Sequence, residues 1–454
     1  MSATCTTFAG RCCKQGGIVP GWPWTGERSE AWNLNLSRSV ALAVLFGLPL
    51  VVVPGWEQPF SRPKLQLWVF VVVAGLLTCA RRVGAAWKDL PLSLRIALSL
   101  WLAALGASAL WGEFASLESL ILPLAGIGWL ALVLALRPSD ERLSWALVLS
   151  AGAVAAVAVA QFLHADPFGA LRWVPATPGN SRMFVFATLG NPNFVAAFLT
   201  GMLPLTFGLA SESRRRRWLL AVLCVLQAVA LFATGSRAPI AGLAAATIWM
   251  IWVRSRRLLR AFGAAALCIA ALVALASPAR DLGTTLRGRV YIWKVSAPRL
   301  GEHLVFGLGP GGFAASFPAW ETQYWRNTTD DRDRRFAAVE NHMHNDYLEI
   351  LADYGAAGLL ALLAVLATFL ATIADGKARG IPPLRAGASA GVVAIAVTSL
   401  VDFPLMRPTE TFLLWSLIAI SLLSRRHFGP DCSSTDRTFA LNRRNVTLKG
   451  DQHA

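Results

Sequence analysis

Long apolar runs constrain the fold of this chain more than any other feature. Twelve of them can be marked along its 454 residues. Most are roughly 17 to 22 residues long, the length that a helix needs to cross about 30 Å of hydrocarbon. Backbone polar groups inside a bilayer must be satisfied within the segment, so each run predicts a helix. The predicted spans are 39–56, 64–80, 92–111, 117–136, 144–163, 193–211, 217–234, 238–253, 259–277, 350–374, 384–401 and 408–424. The sequence therefore predicts an all-α integral membrane protein with about twelve transmembrane helices.

Composition separates this chain from soluble proteins. Hydrophobic residues make up 55% of it and charged residues 15%, with a mean hydropathy of +0.51. A soluble chain carries about 25% charged residues. The net charge of +16 could indicate nucleic acid, but the basic residues stand in short clusters between the apolar runs, as they do in cytoplasmic loops of membrane proteins. We therefore expect membrane lipids around the chain and no nucleic acid as a partner.

The basic residues also predict the orientation of the chain. Five alternate loops carry sixteen Lys and Arg residues, whereas the opposite short loops carry six. Because positive charge favours the cytoplasmic side, the tails 1–38 and 425–454 are both predicted to be cytoplasmic. Spans one to nine then occupy 39–277 and spans ten to twelve occupy 350–424. Between them, residues 278–349 form one large loop on the outer side, which contains no cysteine and so indicates neither disulfides nor a zinc site.

Two polar motifs lie at the outer ends of predicted spans. The sixth span opens on Asn191-Pro192-Asn193. One interpretation is helix capping, with Asn191 as the N-cap and Pro192 at the first helical position. The same geometry is also an anion site, because a helix N-terminus presents free N–H groups. Further along, Gly235-Ser236-Arg237 joins two spans. The Arg237 side chain either extends to the membrane–water interface, as long basic side chains do, or belongs to a polar site there.

Two further clusters fall within the large loop. Arg287 and Arg289 precede a helix-like amphipathic segment with Trp293, and a glycine-rich turn follows around Pro310. Glycine-rich turns alone are weak signals, and this one has neither dinucleotide nor P-loop spacing. The segment Asp-Asp-Arg-Asp at 330–333 is interpreted as a solvated charge cluster rather than a metal motif.

The loop ends on two histidines directly before a small-residue apolar run. His342 is interpreted as structural, whereas His344, followed by Asn345 and Asp346, lies where the predicted span meets water. A neutral imidazole at that place can accept a proton near pH 7.

In order and spacing, these motifs resemble the O-antigen ligase and polymerase superfamily of bacterial envelope glycosyltransferases. The matching residues lie within 185–410. They are Gly190-Asn191-Pro192-Asn193, Gly235-Ser236-Arg237, Arg289 four before Trp293, Gly307-x-Gly-Pro-Gly, His344-Asn345-x-Tyr347-Leu348-Glu349, Tyr354-Gly355, and the stretch from Val401 to Pro408.

The resemblance implies a type C glycosyltransferase in the bacterial inner membrane, with its site on the periplasmic face. Its donor would be a polyprenyl-diphosphate-linked glycan and its acceptor a glycolipid or glycan hydroxyl, with no metal and no other cofactor. Arg237 and Arg289 would hold the diphosphate, and His344 would activate the attacking hydroxyl, so that the anomeric configuration inverts. The other expected substrate-binding residues are Arg287, Asn191, Asn193, Asn345, Tyr347 and Trp293.

Several reactions remain open at this point. Transfer to the lipid A–core makes a ligase, transfer to another lipid-linked repeat makes a polymerase, and transfer to Ser or Thr makes a protein O-oligosaccharyltransferase. The size of the loop and the number of spans favour the ligase. A lipid-linked sugar transporter is the main alternative from another class, but a transporter places ionisable residues near the middle of its spans, and here they concentrate at the outer surface. A non-catalytic assembly protein is the second.

Overall fold

The computed structural model describes residues 26–170, 185–254, 282–328, 331–337, 340–377 and 380–423. Within these ranges the regular structure is helical, as predicted. The longer helices are α1 (Gly26–Gly47), α2 (Arg62–Thr78), α3 (Ala80–Lys88), α4 (Leu92–Trp111), α5 (Leu117–Leu136), α6 (Asp140–Phe162), α7 (Pro192–Glu212), α8 (Arg217–Ala233), α9 (Ala238–Val253), α10 (Leu282–Leu300), α11 (Gly312–Asn327), α12 (Asp346–Ala374), α13 (Pro383–Thr398) and α14 (Pro408–Leu423).

The helices agree with a multi-pass membrane protein. In the described ranges, α4, α5, α6, α7 and α12 are each long and apolar enough to cross a membrane. Helices α2 and α3 pass the same test only as a pair, and five further apolar helices there have 10–17 residues. The predicted span 259–277 lies outside the described residues, so the number of twelve spans stays a prediction, as does the sidedness of the loop.

The first two predicted spans differ from the helices of the structure at their ends. The run 39–56 does not continue as a helix beyond Leu50, because Pro54 and the positive φ of Gly55 take the chain into a turn. The run 64–80 ends at Thr78, and α3 then leaves at 89° to α2. Helix α3 is strongly amphipathic, with basic residues exposed on it, a pattern typical of a helix that lies in the membrane interface.

Helix α12 begins four residues before its predicted start because Asn345 caps it. The Asn345 side-chain oxygen accepts from the N–H groups of Tyr347 (3.0 Å) and Leu348 (3.1 Å), which satisfies two of the free donors at the helix start. The helix is interrupted at Gly355, whose φ of 67° and ψ of −173° are not helical.

The glycine-rich segment is more than the turn that was predicted. It passes between the chain before α5 and the break in α12. Phe114 N–H donates to the Leu308 carbonyl (3.0 Å), and Gly309 N–H donates to the Asp353 carbonyl (2.9 Å). Gly309 has a φ of +100°, and a Cβ there would lie 2.0 Å from the Phe114 carbonyl oxygen. Only glycine allows both the conformation and the close approach, so this segment fixes the loop to the bundle.

Small residues bring the motif-bearing helices together. Helix α13 packs against α7 and α9. A Cβ on Gly387 would lie 2.3 Å from a carbonyl oxygen of α7, and a Cβ on Gly391 would lie 2.4 Å from another. Close contact through small residues is a common way for helices to associate within a membrane. It holds the start of α7 near the segment that joins α13 to α14.

Candidate functional site

A cavity of about 420 Å³ lies where α2, α5, α12 and α14 come together. Its deeper wall is apolar and includes Leu65, Trp101, Leu122, Leu362, Leu414 and Trp415. Most of its charged and titratable lining comes from the starts of these helices and the loop beside them, namely Arg62, Glu118, His342, Glu349, Arg407 and Glu410, and the rest, Asp353 and Tyr354, lies two turns into α12. An apolar chamber with a few convergent polar groups suits an amphiphilic ligand.

His342 faces this cavity with a carboxylate behind it. Its Nδ1 lies 2.8 Å from Glu349 Oε1, and the other Glu349 oxygen accepts from Met343 N–H (2.9 Å). Glu349 is 4% exposed, whereas 34% of the His342 side chain is exposed. The imidazole is therefore fixed on its buried side and open on the other. Nothing in the residue pattern favours this histidine, because its partner is seven residues away along the chain and one helical turn inside α12.

His344, the predicted base, lies beside the cavity and is not among its lining residues. Its ring meets Phe403, a lining residue, edge to face with a centroid distance of 5.0 Å. Its Nε2 is 3.7 Å from Glu340, and its Nδ1 is buried with no hydrogen-bond partner in the described part of the chain. Its φ is 52°, which is uncommon for a residue other than glycine.

A buried ionic cluster closes another side of the cavity. Arg407 contacts Asp402 (2.5 Å) and Glu410 (3.1 Å), and all three side chains are almost fully buried. The guanidinium also stacks on Phe194 (3.8 Å) and Phe403 (4.2 Å). Arginine suits this place because its planar group can pair and stack at once. The cluster joins the start of α7 to the segment before α14.

Arg289 lies within electrostatic reach of this cluster. Burial lowers the pKa of its guanidinium, the Asp402 carboxylate raises it and the positive charge of Arg407 lowers it. One turn along α10, Trp293 Nε1–H donates to the Met343 carbonyl at 2.8 Å. This bond ties the arginine-bearing helix to the histidine segment. Arg287, two residues before Arg289, is exposed.

The motif around Arg237 meets the start of α7. The Ser236 hydroxyl donates to Asn193 Oδ1 at 3.0 Å, and Asn191 Oδ1 accepts from Asn193 N–H at 2.9 Å. Asn191 is thus the predicted N-cap, with Pro192 at the first helical position. Arg237 is half-buried, and no partner is recorded for its side chain among the described residues.

Asn345 and Tyr347 connect the histidine segment to the end of α13. Asn345 Nδ2 donates to the Leu400 carbonyl (3.0 Å), and the Tyr347 hydroxyl donates to the Ala396 carbonyl (2.7 Å). Both side chains are therefore engaged with the backbone. These bonds hold the histidine segment against the end of α13, and contact of Asn345 and Tyr347 with substrate stays a prediction.

Contacts bring the predicted motifs to one end of the bundle, but Arg237, Arg289 and His344 do not themselves line the cavity. His344 contacts the lining residue Phe403, and Arg289 lies within electrostatic reach of the Arg407 cluster. Next to Arg237, Ser236 contacts Asn193, which precedes the lining residue Phe194. Sequence reasoning missed the groups that line it directly, His342, Glu349 and Arg407 among them. Signals for two of them were present, since Glu349 ends the matched motif that begins at His344 and Arg407 lies in the matched stretch before the last span. In the described ranges, no group of three or more His, Cys, Asp or Glu side chains could hold a metal ion.

A family model described as O-antigen ligase matches residues 220–363 of this chain. The matched region includes Arg237, Arg289, the glycine-rich segment and the histidine segment. No curated protein matches the chain at a significant level. The family match supports the O-antigen ligase superfamily, as the motifs suggested, and with it a ligase- or polymerase-type glycosyltransferase that acts on glycan and lipid substrates.

Proposed function

We propose that this protein transfers a glycan from a polyprenyl-diphosphate carrier to an acceptor hydroxyl at the periplasmic face of the inner membrane, and that it acts as an O-antigen ligase. The observation that carries the proposal is the cavity, which pairs an apolar wall inside the bundle with charged groups at the helix starts. A polyprenyl diphosphate has the same division, with an apolar chain and an anionic head. Its scissile bond would lie where the two parts of the cavity meet.

Two arginines suit the anionic head. Arg237 and Arg289 are half-buried, and within the described residues no ion pair or hydrogen bond is recorded for either side chain. A guanidinium with no carboxylate partner can bind phosphate oxygens in a bidentate manner. As the carrier leaves, negative charge grows on the diphosphate, and fixed cations stabilise it without reorganisation. Neither of them lines the cavity, so the proposal places the diphosphate at the edge of the cavity, with these two residues as its ligands.

The histidine segment supplies the base. The acceptor hydroxyl oxygen attacks the anomeric carbon while an imidazole takes its proton. The bond from the anomeric carbon to the phosphate oxygen breaks, and its electron pair leaves with the diphosphate. One direct displacement inverts the anomeric configuration, and no metal takes part. The resemblance assigns the imidazole to His344.

Single substitutions test the proposal. Arg237→Ala, Arg289→Ala and His344→Gln are made in a strain that lacks the native gene, and transfer is measured with purified protein and a polyprenyl-diphosphate-linked glycan. Arg326→Ala is the control, because this arginine is exposed on the same loop. We expect Arg237→Ala and Arg289→Ala to be expressed and to lose at least about 99% of transfer, since one charge-stabilising group contributes roughly 10²–10³ in rate. His344→Gln tests the base that the resemblance assigns, and loss of that base would lower the rate roughly 10²–10⁴-fold. Normal transfer by all three would refute the proposed site.

The chain-length profile of the surface glycan identifies the reaction. Loss of a ligase leaves long lipid-linked polymers unattached, which is the expected result. Loss of a polymerase leaves single repeats attached, and loss of a protein O-oligosaccharyltransferase leaves the glycolipid profile unchanged. Either of these results would replace the ligase with the corresponding enzyme.

A further inference from the structure

His342 has the geometry of an oriented base. It lines the cavity, its ring stacks on Phe403 at a centroid distance of 4.2 Å and an angle of 20°, and its Nδ1 is held by Glu349 at 2.8 Å. Ring stacking fixes the plane of the imidazole, and the carboxylate fixes its rotation. The remaining nitrogen, Nε2, has no recorded partner among the described residues.

The Glu349 contact sets the tautomer of this ring. An ionised carboxylate only accepts hydrogen bonds, so Nδ1 carries the hydrogen and Nε2 keeps its lone pair. Glu349 is itself held in place, because its second oxygen accepts from Met343 N–H at 2.9 Å. A base oriented by a buried carboxylate in this way is a recurrent catalytic arrangement.

His344 lacks these features. It does not line the cavity, and its nearest carboxylate is Glu340 at 3.7 Å, a residue that is itself partly exposed. Its Nδ1 is buried and has no hydrogen-bond partner in the described residues. No group therefore sets its tautomer, and its edge contact with Phe403 supports the ring against which His342 stacks.

We propose that His342, in place of the His344 that the resemblance indicates, is the catalytic residue that accepts the proton of the attacking acceptor hydroxyl at Nε2, with Glu349 as its positioning residue. This inference rests on the proposed function. The hydroxyl oxygen forms the new bond to the anomeric carbon, the diphosphate leaves with the electrons of the broken bond, and the proton moves to Nε2. The imidazolium that forms is stabilised by the Glu349 carboxylate and later releases the proton to water.

Two substitutions separate this role from a structural one. His342→Asn places an amide nitrogen near the position of Nδ1, so it keeps a donor for Glu349 and removes Nε2. Glu349→Gln keeps an oxygen for Met343 N–H but presents an amide N–H to Nδ1. That donor requires an unprotonated Nδ1, which moves the ring hydrogen to Nε2 and removes the lone pair that the reaction needs.

The test measures transfer and thermal unfolding of His342→Asn, Glu349→Gln and the double variant in detergent. We expect each single change to lower kcat about 100-fold or more, since general base catalysis contributes roughly 10²–10⁴ in rate, with melting temperatures close to that of the unchanged protein. The double variant should be no slower than the slower single variant, because residues that act as one unit are not additive.

Two results would overturn the assignment. One is a kcat of His342→Asn within about threefold of that of the unchanged protein, together with inactive His344→Gln and Arg289→Ala variants. The base would then be His344. The other is a double variant whose loss equals the product of the two single losses, because His342 and Glu349 would then act separately. Full transfer by the Arg237, Arg289, His342 and His344 variants would instead refute the proposed site, and absence of transfer by the unchanged protein would refute the proposed function.

Discussion

The hydrogen bond between Trp293 and Met343 offers a sharp test of how the site is assembled. It joins α10, which carries Arg289, to the segment that carries both histidines. Trp293→Phe keeps most of the ring and removes the donor. The bond itself contributes about 1 kcal/mol, and leaving its buried acceptor unpaired raises the loss of unfolding free energy to about 1–3 kcal/mol. We also expect transfer to fall at least tenfold, since a shift of about 1 Å between catalytic groups costs up to about 100-fold.

Trp320→Phe is the matched control for this prediction. Trp320 lies on the same loop and packs edge to face against Phe313, and no hydrogen bond is recorded for its indole N–H in the described residues. Both variants lose the same atoms, so the difference between them reports the bond to Met343. Thermal unfolding followed by size-exclusion chromatography measures stability, and the transfer assay measures activity. Equal behaviour of the two variants in both measurements would refute the assigned role of the bond.

Three further changes test the packing around the site. Gly309→Ala should lower the free energy of unfolding by at least about 2–4 kcal/mol, because of left-handed strain and displaced backbone hydrogen bonds. The control Gly301→Ala should keep its melting temperature, because a Cβ there meets open space. Equal melting temperatures would contradict the role given to the glycine-rich segment. Trp129→Phe removes a 2.9 Å hydrogen bond to a serine hydroxyl, whereas Trp68 Nε1 is buried without a partner in the described residues. Trp129→Phe should therefore be less stable than Trp68→Phe by about 0.6–1.5 kcal/mol, and the reverse order in thermal unfolding would contradict this. Arg407→Gln leaves two buried carboxylates uncompensated and should lower the free energy of unfolding by about 3–5 kcal/mol. An unchanged melting temperature would show that the cluster adds no stability.

Hydropathy was enough to predict most helices because the bilayer imposes one length and one composition on a span. The predicted runs 92–111 and 117–136 coincide with α4 and α5. Hydropathy failed where a local backbone feature overrides composition. The bend after α2 and the break at Gly355 both lie inside or beside apolar sequence, so an average over a window passes across them.

The candidate site was predictable as a set of motifs but not as a set of contacts. Matching residues identified His344 and both arginines, and the structure brings their neighbourhoods together. The contact of His342 with Glu349 depends on how the loop folds back onto the first turns of α12, and sequence spacing does not show this. The preference for His344 over His342 came from the motif, whereas cavity lining and a carboxylate partner favour His342.

The arginines around the site divide into two groups by their partners, and this division separates structure from ligand binding. Arg407 is buried and held by Asp402 and Glu410, so its charge is already compensated and an anion there would have to displace a carboxylate. Arg237 and Arg289 are half-buried and have no ion pair recorded in the described residues, although partial burial disfavours a charge that no direct ion pair compensates, and Asp402 acts on Arg289 only from a distance. A bound anion would compensate these charges. Part of the binding free energy of a diphosphate would therefore come from relieving an unfavourable state of the ligand-free protein. Neutral substitutions such as Arg289→Gln should therefore weaken diphosphate binding without lowering the melting temperature of the free protein, whereas a clear loss of stability would place Arg289 with the structural arginine.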